Sequence, residues 1–217
     1  NDRCEAPYPL PVFLRIAGKR AIVVGGGAVA QRKVRDLIEA GASVTVIAEE
    51  PCDDIARLSE NGAIELIARR YRPGDTAEAF IVFAATDDTA VNGQVFKEAD
   101  EAGILVNAVD QPSICNFFSA AVVKRGPLRI AVSTSGCCPA LAKVIRRELE
   151  ASYPEIWTAF TEAAGEWRRM ILAMEDAGET GRRAALDKLG ERETFILFRD
   201  YGKDRVWDEL KRIIFSS

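Results

Sequence analysis

A glycine-rich turn is the first stretch of this sequence whose residue types and spacing could do chemistry. Residues 23–30 read VVGGGAVA, and Gly25, Gly27 and Ala30 have the G-x-G-x-x-A spacing. Such glycines let a strand turn sharply into a helix and let the backbone approach a pyrophosphate, which the free N–H groups at the helix start can bind. The motif predicts a dinucleotide site, with a purely structural turn as the alternative. The predicted contacts are Gly25, Gly26, Gly27, Ala28, Val29 and Ala30.

Two glutamates follow the next apolar run, SVTVIA at 43–48. In dinucleotide-binding folds an acid near the end of the second strand accepts hydrogen bonds from the ribose hydroxyls. Glu49 is the better candidate, although a solvated pair of Glu49 and Glu50 explains the sequence equally well. No arginine follows at this point to accommodate a 2′-phosphate. The sequence therefore favours NAD over NADP.

Two adjacent cysteines, Cys137 and Cys138 in SGCCPALAK, also invite a chemical interpretation. The chain contains no histidine, which excludes Ser-His and Cys-His nucleophile pairs and any histidine-ligated zinc or haem. Three interpretations of the pair remain open. The cysteines could form a vicinal disulfide, Cys138 could cap a helix that begins at Pro139, or a thiolate of lowered pKa could contact a transition metal.

The overall composition limits the class of partner. A formal net charge of −4 argues against nucleic acid or an anionic membrane as the main partner, but a local basic cluster could still bind an anionic small molecule. No apolar run reaches the length of a membrane span, and the first residues, NDRCEAPYPLP, lack the regions of a signal peptide. The five cysteines show no disulfide spacing. We therefore expect a reduced, cytoplasmic protein.

Strands and helices alternate through the first half of the chain. Apolar runs typical of buried strands alternate with helical patterns such as 53–62 and 89–103, which predicts βαβ units and a parallel sheet. The expected fold class is α/β with a Rossmann-type parallel sheet. The predicted strands are 21–25, 43–48, 63–69, 79–86 and 104–109.

The pattern changes after the fifth predicted strand. Residues 117–136 contain two strand-like runs joined by RGP, which predicts a hairpin, and Pro139 opens a helix. The remainder is helical, with a polar break around 176–183 before the last one or two helices. We expect a dinucleotide-binding domain at 1–112, a β segment with its helix at 113–153, and a helical region at 154–217.

Four segments of the chain carry a joint pattern: FLRIAGKRAIVVGGGAVAQRKVRDLIEAGASVTVIA, FAATDDTAVN, VNAVDQPSICNFF and RGPLRIAVSTSGCCPALAK. Together they resemble the precorrin-2 dehydrogenase family, which includes part of the sirohaem synthases. The resemblance covers about residues 8–153 and keeps the spacing between the segments. It implies an NAD-dependent oxidation of precorrin-2 to sirohydrochlorin and, in some members, the insertion of ferrous iron as a co-substrate.

The resemblance also implies a quaternary structure and a division of the chain. It predicts a Rossmann domain, a small β dimerisation segment and a C-terminal helical region, assembled as a homodimer. A second hypothesis keeps the same fold and dimer but makes the protein a non-catalytic binder of NAD or of a tetrapyrrole. An Asp110→Ala substitution would separate the two hypotheses, because only the enzyme would lose an activity.

Roles for several residues at strand ends follow from the resemblance. Asp110 matches the family's aspartate, which would be the general base and a transient participant in metal insertion, with a turn cap as the alternative. Thr86 and Asp87 follow the fourth strand, where the family's backbone passes near the cofactor, although Asp87 and Asp88 could instead cap the next helix. Asn107 would orient substrate or cofactor, or would be a buried, hydrogen-bonded polar residue.

A carboxylate-rich tetrapyrrole requires basic side chains despite the negative net charge. Lys124, at the hairpin, and Arg146, on the helix after the cysteines, are the predicted contacts, because lysine and arginine bind carboxylates well. The family usually has serine where this chain has Cys138, which makes Cys138 a candidate substrate contact and metal ligand. Cys115 fits the family pattern and is expected to be a packed core residue.

Overall fold

The computed structural model of the 217-residue chain describes residues 8–109 and 111–215. Asp110 lies outside the described residues, so its predicted role rests on the sequence alone. Contacts group the chain into two compact units. The first runs to Ser119 and includes Ser135–Cys137, and the second contains Ala120–Thr134 and the chain from Cys138 onward. The three-part division at 112 and 153 stays a prediction.

Five parallel strands form the sheet of the first unit, in the order β3-β2-β1-β4-β5. They are nearly continuous apolar runs because helices cover both faces of a parallel sheet. The predicted Rossmann-type α/β fold is confirmed, although β3 keeps only three residues of the predicted 63–69. The strands are β1 (Arg20–Val24), β2 (Ser43–Ile47), β3 (Glu65–Ile67), β4 (Ile81–Ala84) and β5 (Leu105–Ala108).

Three helices accompany this sheet and give it two hydrophobic cores. Side chains alternate between the faces of a strand, so Ala21 and Val23 pack into one core while Ile22 and Val24 pack into the other. The first core contains residues of α1 and α2, and the second contains residues of α3. The helices are α1 (Ala28–Glu39), α2 (Asp53–Glu60) and α3 (Thr89–Glu101).

The strand order reverses direction at β1. The chain proceeds from β1 to β2 and β3 on one side, then returns to place β4 and β5 on the other side. Val24 pairs with both Ile47 and Ala84, so β1, β2 and β4 end at the same level. Ligands of open α/β sheets bind beyond the carboxyl ends of strands at such a reversal. The topology therefore places the candidate site at this edge.

A β-hairpin and a helix open the second unit. Strands β6 (Ala121–Arg125) and β7 (Leu128–Val132) are antiparallel, and Gly126, with φ of +54°, begins the two-residue loop between them. The predicted hairpin is confirmed. Helix α4 (Pro139–Ser152) begins at the proline, as predicted, and packs against the hairpin.

The remaining helices share a core of large aromatic and aliphatic side chains. Trp167 is fully buried, and Trp157 stacks on Phe195 with ring centroids 4.1 Å apart. None of the helices described in either unit is long and apolar enough to span a membrane. The helices are α5 (Ile156–Ala173), α6 (Glu179–Leu189), α7 (Arg192–Tyr201) and α8 (Lys203–Phe215).

The number of C-terminal helices differs from the prediction. Among the described residues three helices follow α5 rather than one or two, and α6 begins within the polar break predicted at 176–183. The buried face of α6 consists of Gly181 and Ala185, and a Cβ at Gly181 would overlap the carbonyl of Ile214. The closest contacts of α6 come from small residues, and only the half-buried Leu186 and Leu189 add larger apolar side chains, so the hydrophobic periodicity of this helix is weak.

Candidate dinucleotide-binding site

A cavity of about 850 Å³ lies beyond the carboxyl ends of β1, β2, β3 and β4, all within the first unit. Its position at the reversal of strand order is where the topology places a ligand. The lining combines a backbone turn, four acidic residues, two arginines and one tyrosine. The residues with these features are Gly25, Gly26, Gly27, Glu49, Glu50, Arg69, Arg70, Tyr71, Asp87 and Asp88.

Two of the three glycines in the turn are required by the fold itself. Gly25 has φ of +123°, and a Cβ there would overlap the carbonyl oxygen of Ala85. A Cβ at Gly26 would lie 2.7 Å from the carbonyl oxygen of Glu50. The Gly26 carbonyl also accepts a 2.9 Å hydrogen bond from the N–H of Cys52. Packing against the protein's own backbone therefore accounts for Gly25 and Gly26 without any ligand.

Gly27 has a different environment. Its φ of −83° suits any residue, and a Cβ built there meets no described atom within 4 Å. Gly27 is the N-cap of α1, and among the described residues no side chain caps this helix and no acid lies in its first turn. The first N–H groups of a helix lack intrahelical partners and favour anions. The open space above Gly27 and these N–H groups fit a dinucleotide pyrophosphate.

Ala30 completes the motif from inside the protein. It is fully buried in the core between α1 and the sheet and does not line the cavity, whereas Ala28 and Val29 do. A small third residue is what close packing of the helix on the sheet requires. Of the predicted contacts, Ala30 could therefore serve a ligand only through its backbone.

The turn after β4 forms the opposite wall of the cavity. Asp88 is the N-cap of α3 and accepts hydrogen bonds from the N–H groups of Ala90 at 2.9 Å and Val91 at 3.2 Å, so the capping alternative is confirmed for Asp88. Asp87 is exposed and lines the cavity. The Asp87 side chain is therefore accessible to a cofactor bound in the cavity, as its predicted contact requires.

Asn92 fixes this turn and was not among the predicted residues. It is almost fully buried, its amide donates to the carbonyl of Thr86 at 2.9 Å, and its side-chain oxygen lies 2.7 Å from the Thr86 hydroxyl. The Thr86 hydroxyl also lies 3.0 Å from the carbonyl of Asp88, so its proton is held within the turn. The signal for Asn92 was its place in TDDTAVN, one turn into the predicted helix.

A charged pair forms the end of the cavity next to β2 and β3. The Glu49 carboxylate accepts a hydrogen bond from Nε of Arg70 at 2.6 Å. This hydrogen bond raises the pKa of the Arg70 guanidinium above its ordinary value. No arginine follows Glu49 closely in the sequence, but the fold brings Arg70 against it, because Arg70 follows β3 and neighbouring parallel strands end at the same edge.

The segment that carries Arg70 is anchored on both sides. Both terminal nitrogens of Arg69 donate to Asp75, each at 2.7 Å, and the hydrogen bond lowers the pKa of the Asp75 carboxyl. The Glu98 carboxylate accepts from the Tyr71 hydroxyl at 2.6 Å and from the N–H of Gly74 at 2.9 Å. It also accepts from the backbone and hydroxyl of Thr76. These bonds hold the backbone of residues 69–76 at the edge of the cavity.

These bonds also shift the ionisation of the residues involved. Burial disfavours the charged form of Glu98, but its hydrogen bonds from Thr76, Tyr71 and Gly74 together lower the pKa of the carboxyl. Burial and the bond to Glu98 raise the pKa of the Tyr71 phenol. Glu98 is therefore ionised and Tyr71 neutral at physiological pH. The signal for this segment was the basic run RRYR at 69–72, which begins at the last residue of the third predicted strand.

Residues of β5 bond to the segment at 115–117 rather than lining the cavity. Asn107 is 8% exposed, and its amide donates to the carbonyl of Phe117 at 2.9 Å. These contacts fit the alternative interpretation of Asn107 as a buried, hydrogen-bonded polar residue. The Cys115 thiol lies 3.2 Å from the carbonyl of Ala108, and burial raises the pKa of the thiol, as expected for a packed cysteine.

Cys138 does not cap its helix through its side chain. It occupies the N-cap position of α4, yet no side-chain capping bond forms, and its own N–H instead donates to the Thr134 hydroxyl at 3.1 Å. Sulfur is a weak acceptor, so this substitution for serine does not reproduce the expected cap. Cys138 is an exposed free thiol, which excludes the vicinal disulfide with Cys137.

The predicted basic contacts lie on the second unit. Lys124 is exposed on β6. Arg146 pairs with Glu150 one turn further along α4. Arg125 instead has a structural role, since its guanidinium donates to the carbonyls of Tyr153 at 2.7 Å and Glu150 at 3.2 Å at the end of α4.

Within the described ranges, no three His, Cys, Asp or Glu side chains are grouped to hold a metal ion.

The fold and this site together define a nucleotide-binding α/β domain. A family model described as "Putative NAD(P)-binding" matches residues 12–121, about half of the chain, so the chain belongs to that family. A second model, "Sirohaem biosynthesis protein central", matches residues 125–152. The resemblance to the precorrin-2 dehydrogenase and sirohaem synthase family is thereby confirmed, as is an NAD(P)-binding domain.

Individual relatives agree with this assignment. The chain is 38% identical to siroheme synthase 1 of Serratia proteamaculans over 86% of its own length and 37% of the relative's. It is 37% identical to siroheme synthase 3 of Aeromonas hydrophila over 94% of its own length and 41% of the relative's. The chain thus spans about two fifths of these relatives.

A solved structure described as "SirC, precorrin-2 dehydrogenase" superposes with a TM-score of 0.81. The two proteins are 26% identical, and the match covers 94% of this chain and 100% of the solved one. Unlike the siroheme synthases, this neighbour corresponds to the chain over nearly its whole length.

Proposed function

We propose that the chain catalyses the NAD-dependent oxidation of precorrin-2 to sirohydrochlorin. The observation that carries the proposal is the cavity at the reversal of strand order, with open space above Gly27 and an acid at the end of β2. Further support comes from the full-length likeness to a precorrin-2 dehydrogenase and from the siroheme synthase relatives.

The residues of the cavity suit NAD in particular. The N–H groups of Gly27, Ala28 and Val29 would hold the pyrophosphate. The Glu49 carboxylate would accept hydrogen bonds from the ribose hydroxyls, and Thr86 and Asp87 would line the opposite wall. When bound, NAD supplies the acceptor for a hydride.

Asp110 is the proposed general base. Oxidation of precorrin-2 removes a hydride and a proton, and the chain has no histidine to take the proton. In the sequence Asp110 directly follows Val109, whose N–H donates to the carbonyl of Ala84 at 2.9 Å at the same edge of the sheet as the cavity. A carboxylate there would accept the proton and release it to solvent.

Spectroscopy of purified protein with precorrin-2 and NAD tests this function. We expect NAD-dependent conversion to sirohydrochlorin, and we expect Asp110→Asn to slow it by about 10²–10⁴-fold, as for loss of a general base. Asp176→Asn, an exposed aspartate of the second unit, is the matched control and should leave the rate unchanged. Binding of NAD and tetrapyrrole without turnover would instead favour the non-catalytic alternative.

The substrate contacts and the quaternary structure belong to the same proposal. We place Lys124 and Arg146 among the substrate contacts because the substrate is a polyanion, and Cys138 because it stands where the family usually has serine. We also propose a homodimer. Helix α4 exposes Leu141 and Val144, which are apolar residues of the kind found in dimer interfaces. Sedimentation of the purified chain tests the dimer directly.

Insertion of ferrous iron, with the metal as a co-substrate, is tested as a separate activity. Purified sirohydrochlorin and Fe²⁺ are supplied to the wild type, to Asp110→Asn and to Cys138→Ser. Iron insertion that survives Cys138→Ser excludes the exposed thiol as an essential ligand. Loss of insertion in Asp110→Asn alone assigns the transient metal contact to the carboxylate.

A further inference from the structure

Two oppositely charged side chains meet where the adenosine ribose of a dinucleotide would lie. We call Glu49 and Arg70 the ribose corner. They are 21 residues apart in the sequence, yet Nε of Arg70 lies 2.6 Å from Oε2 of Glu49. The contact exists because β2 and β3 are neighbouring parallel strands and both residues follow the ends of these strands. Both residues line the cavity.

The ribose corner is not explained by the stability of the fold. The Glu49 side chain is 56% exposed and the Arg70 side chain 86% exposed. Ion pairs with this exposure contribute little to folding because water screens them and both side chains lose freedom. A ligand can therefore exchange either partner at low cost.

The two side chains have opposite preferences at the ribose 2′ position. A carboxylate accepts a hydrogen bond from a 2′-hydroxyl and repels a 2′-phosphate, whereas a guanidinium binds phosphate with paired hydrogen bonds. Arg70 is available for this role, while neighbouring Arg69 is not, because both of its terminal nitrogens donate to Asp75. Glu50 and Asp88 also act on Arg70 through their negative charge.

We propose that the ribose corner sets the choice between NAD and NADP. Glu49 accepts the ribose hydroxyl of NAD and occupies Arg70, and Arg70 binds a 2′-phosphate when a substitution removes the carboxylate at position 49. Arg70 is thus a specificity-determining residue contributed by β3. The proposal rests on the proposed function only in using the same dinucleotide site. It requires no turnover of a tetrapyrrole.

The test measures the dissociation constants of NAD and NADP by calorimetry, without tetrapyrrole, for the wild type and three variants. Glu49→Gln keeps the shape of the side chain and removes its charge, and we expect it to tighten NADP binding about tenfold, the effect of one charge-assisted hydrogen bond. It should weaken NAD binding several-fold. The double variant Glu49→Gln with Arg70→Gln should lose the gain for NADP.

Glu50→Gln is the charge control. It removes the same charge from the neighbouring residue, which has no hydrogen bond to Arg70 among the described contacts. A smaller gain for NADP than in Glu49→Gln supports the ribose corner, and an equal gain overturns it in favour of general electrostatics. A gain for NADP that persists in the double variant also overturns it.

Failure of the proposed function gives a different result. If the wild type binds NAD but does not oxidise precorrin-2, the function fails while the Glu49 and Arg70 affinities still decide the present inference. If the wild type binds neither NAD nor NADP, the ribose corner has no ligand and the inference is overturned.

Discussion

The two ends of the cavity are built from different parts of the polypeptide. At the glycine turn of Gly25, Gly26 and Gly27 the backbone forms the surface, and two of the three residues also have no room for a side chain. At the ribose corner, exposed charged side chains form the surface, and their mutual contact contributes little to folding. The turn therefore has a role in folding as well as in the proposed binding, whereas the stability of the fold does not explain the corner.

This difference separates the substitutions that the fold tolerates from those that it does not. The glycine turn contacts the backbone at Ala85 and Glu50, so changes there alter packing at the centre of the sheet. Gly27 is the exception within the turn, because nothing in the described protein fills the space beside it. The ribose corner depends instead on the segment 69–76, which Glu98 and Asp75 hold in place.

Gly25→Ala should have the largest effect on stability. The new methyl group would overlap the Ala85 carbonyl at φ of +123°, and we expect the free energy of unfolding to fall by about 4 kcal/mol from strain and overpacking combined. Urea denaturation measures this change. Gly62→Ala is the control, since Gly62 also has positive φ but no atom within 4 Å, and it should cost about 1 kcal/mol. Equal losses would contradict the packing argument.

Glu98→Gln should loosen the segment that presents Arg70. Loss of the charged acceptor is expected to lower the free energy of unfolding by about 2 kcal/mol at neutral pH. Glu101→Gln, on the same helix, is the control, because its carboxylate faces only Lys97 at 4.0 Å among the described ion pairs. Calorimetric unfolding of both variants provides the comparison.

The effect of Glu98 should depend on pH in one direction. The pKa of its carboxyl is lower in the folded protein than in the unfolded chain, so its stabilisation is present above the unfolded pKa. That stabilisation is lost as the pH falls through the folded-state pKa. The stability difference between wild type and Glu98→Gln should therefore shrink in acid, and a constant difference would contradict this account.

Gly27→Ala should separate binding from folding within the glycine turn. The methyl group has space in the free protein but would enter the region of the pyrophosphate, so NAD affinity should fall about tenfold, or about 1.4 kcal/mol. Stability should change by less, since φ of −83° suits alanine. Gly93→Ala on α3, also with open space around it, should leave NAD affinity unchanged.

Asp88→Ala should have the smallest effect on stability, through loss of a helix cap. Removing the N-cap of α3 is expected to lower the free energy of unfolding by about 1 kcal/mol. Asp87→Ala removes an adjacent exposed carboxylate that caps nothing among the described residues, so thermal unfolding should not detect it. A greater loss in Asp87→Ala would show that the two carboxylates have exchanged roles.

Much of the first unit was predictable because its signals are local. Strands buried on both faces are apolar runs, helices between them have apolar periodicity, and the glycine spacing marks the turn that joins β1 to α1. The class of fold and most predicted cofactor contacts follow from these signals. Ala30 differs because its place in the motif concerns packing of the helix rather than access to the cavity.

Other features depend on contacts that leave no local pattern. Helix α6 makes its closest contacts through Gly181 and Ala185, whose small side chains give only a weak hydrophobic stripe together with Leu186 and Leu189. Cys138 occupies the predicted N-cap, but whether a side chain bonds there depends on backbone geometry and acceptor strength rather than on its position. The burial of Asn107 against Phe117 depends on a chain reversal after β5.

By itself the sequence determined the alternation of strands and helices, the dinucleotide turn, the exclusion of histidine chemistry and the family resemblance. Each of these is encoded in the type and spacing of residues close together in the chain. Only the tertiary structure decided that Arg70 lies against Glu49, that Gly27 alone of the three glycines faces open space, and that Glu98 anchors the segment 69–76. These contacts arise because parallel strands bring distant residues to one edge of the sheet, and the local sequence does not specify which strands become neighbours.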